Sequence, residues 1–148
     1  MSKKGYIIGA IVIVVIVLFI LFSGSGKQNS STTATKSLQI TIAAQNNSGI
    51  SGNAVITDVD GKSKVVVSVT GAPADIEEPA HLHVGSCANL GDPKYTLAPV
   101  INGTAETVLP VSPDELIKEL PLAINIHKSA AEVGTYIACG DLTTVGTN

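Results

Sequence analysis

Leu38, Ile40 and Ile42 alternate with Gln39 and Thr41 at the start of "LQITIAA", residues 38–44. Side chains two apart share one face of a strand, so this period predicts a strand with one face buried. "GNAVITDVDGKSKVVVSVTG", residues 52–71, continues the pattern on both sides of Asp60-Gly61. An Asp-Gly pair between two Val-rich runs is a hairpin signal. In the second arm Val65, Val67 and Val69 share a face, with Lys64, Ser68 and Thr70 opposite. "AHLHVG", "KYTLAPV", "TAETVLP", "PLAINIHK" and "GTYIACG" add further short runs, about eight strands in all, separated by Gly, Pro, Asn and Asp. Such spacing predicts an all-β fold, an antiparallel sandwich or Greek-key barrel. One helix interrupts it. In "SPDELIKEL", residues 112–120, Ser112 is the N-cap, Pro113 takes the first helical position and Glu115 completes a capping box. Leu116 and Leu120 fall four apart on one face, and this helix of about two turns reads as a lid or connection without chemistry of its own.

A different pattern precedes these strands. "YIIGAIVIVVIVLFILF", Tyr6 to Phe22, is 17 residues without a charge. As a helix it spans roughly 25 Å, the short end of what a bilayer core requires. Lys3 and Lys4 precede it, which places the N-terminus in the cytoplasm. The alternative is a signal peptide, whose apolar region runs about 7–15 residues before a small-residue cleavage site. "SGSGK" matches such a site poorly. Residues 1–22 therefore read as an uncleaved signal-anchor with a transmembrane helix, the membrane partner being met through residues 6–22. Residues 23–37, small and polar, read as a flexible tether. Residues 38–148 form the β-domain, on the extracytoplasmic side; cleavage after the apolar run would instead release it as a secreted domain.

Charge narrows the partners. All twelve acidic residues fall in the β-domain against five lysines, a net charge of −7 with histidines neutral, and the chain contains no arginine. This excludes electrostatic binding of nucleic acid and repels small anions at long range. The two cysteines, Cys87 and Cys139, are disulfide candidates in an oxidising compartment.

The candidate chemistry lies in three histidines. In "AHLHVG", Leu82 and Val84 point one way and His81 and His83 the other; the apolar pair is expected in the core and the histidines on the outer face. In "LAINIHK", Leu122, Ile124 and Ile126 take the core face and His127 the outer one. Two imidazoles two apart on a strand can bind one ion if one uses Nδ1 and the other Nε2. The plainer alternative is a pair of solvated histidines, and the third counts only if the fold brings its strand alongside. A Cys87–Cys139 bond would do that, tying the two histidine segments together and stabilising the fold by about 4 kcal/mol. The alternative is two buried free thiols.

"HLHVGSC" together with "NIHKSAAEVGTYIACGDL" resembles the copper-site signature of the copper/zinc superoxide dismutases, and "GISGNAVITDVDGKSKVVVSVTG" is similar to that family's first hairpin and the strand that follows. The resemblance covers most of Leu38 to Leu142. It implies an eight-stranded Greek-key β-barrel, with His81, His83 and His127 as copper ligands and Cys87–Cys139 as the intrasubunit disulfide. A weaker resemblance is to chordin-type (CHRD) domains, which also carry a paired histidine in a β-sandwich.

The departures from the dismutase pattern are specific. The family's fourth copper ligand, a histidine bridging to zinc, has no counterpart, and "ANLGDPKYTLAPVING" stands where the zinc loop would be, so no separate zinc site is expected. Tyr136 occupies the place of the family's substrate-guiding arginine. Copper is the expected ion, and zinc can use the same three histidines and water. Three functions compete: a copper-dependent, zinc-free superoxide dismutase of low efficiency, a copper-binding protein without turnover, and a structural or adhesive β-module with vestigial histidines. The missing bridge and arginine favour the second on chemical grounds, with the copper ion or superoxide as ligand.

Overall fold

The computed structural model describes residues 37–143. The expected anchor, residues 1–22, lies outside the described residues, as does the tether apart from Ser37, which opens the first strand. Among the described residues no helix is long and apolar enough to cross a membrane.

Eight strands form: β1 Ser37–Ala44, β2 Ser51–Val59, β3 Lys62–Thr70, β4 Glu78–Ser86, β5 Asn89–Val100, β6 Thr104–Leu109, β7 Leu122–His127 and β8 Tyr136–Leu142. Their order across the sheet is β5-β4-β7-β8-β1-β2-β3-β6, with every neighbouring pair antiparallel. The edge strands β5 and β6 meet where the Ala98 N–H donates to Thr107 Oγ1 at 2.8 Å, which nearly closes the sheet into a barrel. Of the two arrangements the pattern left open, this is the Greek-key barrel, the one the resemblance implied.

Local sequence accounts for most of it. Leu38, Ile40 and Ile42 are buried while Gln39 and Thr41 are exposed, and Val65, Val67 and Val69 line the core from β3. At the β2–β3 turn Asp60 and Gly61 both have positive φ, 53° and 75°, as a two-residue type I′ turn requires. Helix α1, Pro113–Lys118, starts with the expected capping box: Ser112 Oγ accepts from the Glu115 N–H, and Glu115 Oε2 accepts from the Ser112 N–H. It seats Leu116 in the core and ends before Leu120, which packs against the core from the segment beyond.

Two expectations about β4 and β7 need correction. Val84, assigned to the core by alternation, is 45% exposed. The β4–β5 register shifts between Leu82 and His83 and again between His83 and Gly85, where Gly85 takes φ +96°. Val84 at this irregular end is exposed, whereas the pairing with β7 runs without a shift through Leu82 and His83, which are buried on opposite faces. Nor do the histidines face open solvent. His83 and His127 are only 3% and 4% exposed, and all six residues of β7 are buried. The face opposite Leu82 and Ile124 is covered by chain from elsewhere: His83 touches Gly91, His127 touches Val133 and Tyr136, and Asn125 bonds Gln45.

Candidate metal centre

Antiparallel pairing sets His81 opposite Asn125 and His83 opposite Ala123, so His127 is a diagonal neighbour of His81 on the same face. The histidines converge as that register requires. His81 Nδ1 lies 2.9 Å from His127 Nε2, and one nitrogen from each of the three rings falls within 4.8 Å of the others. Ring centroids stand 4.9 Å apart for His81 and His127, 5.7 Å for His81 and His83, and 5.8 Å for His83 and His127.

Backbone carbonyls fix which nitrogen is free. His83 Nδ1 donates to Gly91 O at 2.9 Å, and His127 Nδ1 donates to Val133 O. A carbonyl only accepts, so each ring carries its proton on Nδ1 and leaves the Nε2 lone pair free. His83 Nε2 is buried with no hydrogen-bond partner among the described residues. His127 Nε2 meets only His81 Nδ1, which donates to it in the neutral pair. The nitrogens turned toward one another are thus His81 Nδ1, His83 Nε2 and His127 Nε2, and His81 Nδ1 would ligate an ion only once its proton had moved to Nε2.

Burial, reinforced by the neighbouring imidazoles of His127 and His83, holds the His81 ring below the ordinary histidine range. His127 is also lowered, chiefly by burial; its bond to Val133 works against the shift and the His83 charge with it. Neutral rings are what ligation needs, because a protonated imidazole has no free lone pair. Two nitrogens about 2.1 Å from one ion stand at most about 4.2 Å apart. The trio is within, or a few tenths of an ångström per ring from, ligation spacing. The donor set therefore fits a borderline or soft ion such as copper or zinc.

Two further features frame the trio. Cys87 and Cys139 are disulfide-bonded, with Cα atoms 5.8 Å apart and a sequence separation of 52. The bond joins the turn after β4 to β8, the neighbour of the strand carrying His127, and Asp141 Oδ1 accepts from the Cys87 N–H at 2.6 Å. Tyr136 packs edge-on at 5.2 Å from His127 and 6.4 Å from His83. It reaches them because a register shift after Ile126 sets His127 opposite Tyr136. Sequence reasoning noted Tyr136 only as the residue in an arginine's place, and it found neither the Gly91 nor the Val133 carbonyl. Every residue carries a carbonyl, so no side-chain pattern marks these two.

No protein-family model matches the chain, and no curated protein matches it. Solved structures do. A variant of superoxide dismutase 5 from Candida albicans aligns at a TM-score of 0.53 with 21% identity, covering 77% of this chain and 94% of its own. A second variant of the same enzyme aligns at 0.52 with 19% identity, covering 77% and 96%. At that identity the likeness speaks to architecture: the β-domain has the superoxide dismutase-like fold, with a disulfide and a three-histidine cluster built into it.

Proposed function

We propose that this domain is a membrane-anchored, extracytoplasmic copper-binding module that holds one ion through His81 Nδ1, His83 Nε2 and His127 Nε2. The observation that carries the reading is the buried, unpartnered His83 Nε2, aimed at two other ring nitrogens. A buried polar atom without a partner is costly, and an ion at that point supplies the missing partner. Copper, when bound, supplies one-electron chemistry. The protein orients the donors through the Gly91 and Val133 carbonyls, favours the neutral form of His81 and His127 by burial, and packs Tyr136 against two of the rings. Superoxide turnover, where present, is slow, because a domain of charge −7 without arginine repels the anion that a steered enzyme would gather. Anchoring rests on the uncharged run Tyr6–Phe22 and the lysines before it, and the extracytoplasmic side on the disulfide.

Metal analysis of full-length protein from copper-replete cells tests the ion, followed by copper titration of wild type and His127→Ala. About one copper per chain, lost in the variant, is the expected result. Zinc at the same stoichiometry would replace the ion and keep the site. Equal copper affinity in both proteins would remove the three-histidine site and leave the structural module.

A further inference from the structure

One end of the barrel is bounded by the β1–β2, β3–β4 and β7–β8 connections, and these line a half-open cavity of about 610 Å³. Its apolar wall includes Ile50, Ile76 and Ile137. The first two connections pass so closely that a Cβ on Gly71 would lie 2.8 Å from the Gly49 carbonyl oxygen, which fixes the wall at that point. None of the three histidines lines this cavity.

Glu78 does line it, from an unusual position. On β4 Glu78, Ala80 and Leu82 share the core-facing register, and Glu78 is 1% exposed. Its Oε2 is buried, and among the described residues its side chain has no hydrogen bond or ion pair. The cation on the cavity wall, Lys128, is engaged 2.9 Å from Glu132, on the same wall. The Lys128 and Glu132 charges cancel, leaving the Glu78 carboxyl unmatched. Burial holds that carboxyl above the usual carboxylate range, as an unpaired acid in apolar surroundings requires.

We infer that this cavity binds a small organic monocation, a primary ammonium on an apolar body. The ammonium sits against Glu78 and the body against Ile50, Ile76 and Ile137. The volume lies in the range of small-molecule sites, which combine apolar walls with a few orienting polar groups. An ionised carboxylate only accepts, so its complement is a donor, and a charged donor bonds it more strongly than a neutral one. A divalent metal ion would require several oxygen ligands where one carboxylate is available. An anion would meet the carboxyl and the net negative charge of the domain together.

Benzylammonium and its neutral counterpart benzyl alcohol serve as probes, titrated into full-length protein in the presence of a metal chelator so that the amine cannot act through the histidine site. The methyl resonances of Ile50, Ile76 and Ile137 are the readout. Saturable shifts are expected with benzylammonium, with benzyl alcohol at least tenfold weaker. Glu78→Gln should weaken benzylammonium by about tenfold or more and leave benzyl alcohol unchanged. No saturable shift, equal affinity for the two probes, or unaltered benzylammonium affinity in Glu78→Gln overturns the proposal. Ile76→Ser, at an exposed part of the wall, is a second variant that does not depend on the folding of Glu78→Gln. It should weaken benzylammonium several-fold, and unaltered affinity there likewise overturns the site.

Discussion

His83 has one ring nitrogen bound to Gly91 O and the other buried without a partner among the described residues. The proposed copper site would use that asymmetry, and it sets the first prediction. His83→Gln and His127→Ala should each lower copper affinity by more than about 100-fold, beyond the range seen when only an orienting partner is lost. Competition against a chelator of known affinity measures this. The lowered His81 and His127 values set the second. The unfolded chain takes up protons at these rings near pH 6.5, whereas the folded metal-free domain takes them up only at lower pH. Stability from these rings is therefore full above about pH 6.5 and is lost as pH falls towards the depressed folded values. Denaturant melts of metal-free protein at several pH values should show this loss, and His81→Gln should reduce it. Glu78, with its raised value, acts oppositely as pH rises above its ordinary 4.5, so the comparison is between proteins that differ only in the histidine. At this scale the sequence revealed the histidine trio but not its burial. Period-two alternation set His81 and His83 opposite Leu82, whereas Gly91, Val133 and Tyr136 cover the rings from distant parts of the chain. Glu78 escaped notice for a related reason: "IEEP" has the composition of a turn, and only the register of β4 shows one of its acids facing inward.

Elements were legible where their determinants are local. The capping box of α1 and the Asp60-Gly61 turn each depend on residues within three positions, and both form as expected. The irregular end of β4 depends on its pairing with β5, and its one local trace is a glycine that period-two reasoning passed over. Gly85 has φ +96°, and a Cβ there would lie 2.3 Å from the Asn89 carbonyl oxygen. Gly85→Ala should therefore destabilise the domain by about 2 kcal/mol or more. It should weaken copper binding as well, since this turn also positions Gly91. Urea melts and copper titration of the same variant measure the two effects. The disulfide is the other determinant at this scale. Cys139→Ser should cost of order 2–5 kcal/mol, read as a lower denaturation midpoint, because the bond closes a loop with a sequence separation of 52. Alkylation of non-reduced protein should label neither thiol.

For the whole molecule, charge decides more than shape. The barrel has the superoxide dismutase-like fold, and the domain carries −7 and no arginine. An enzyme that steers an anion slows when salt is added, whereas one that repels it speeds up. Any superoxide decay by the copper-loaded protein should accelerate between about 10 mM and 150 mM sodium chloride, the range over which the screening length shrinks to about 8 Å. Stopped-flow decay at the two salt concentrations measures the sign, and slowing would mean that local positive potential outweighs the net charge.

The strand order has a consequence for the timing of biogenesis. β8, the last strand among the described residues, pairs with β1, the first of them, as well as with β7, and it carries both Cys139 and Tyr136. His81 and His127 meet across 46 residues. A chain made from its N-terminus can complete the β2–β3 hairpin early, but the ion pocket cannot be walled until synthesis has passed residue 139. Non-local pairing of this kind also folds slowly, over milliseconds to seconds. A nascent chain that has not reached β8 therefore carries the histidines without their cover, and formation of the proposed metal site is coupled to pairing of β8 and to oxidation of the cysteines rather than to the early hairpin.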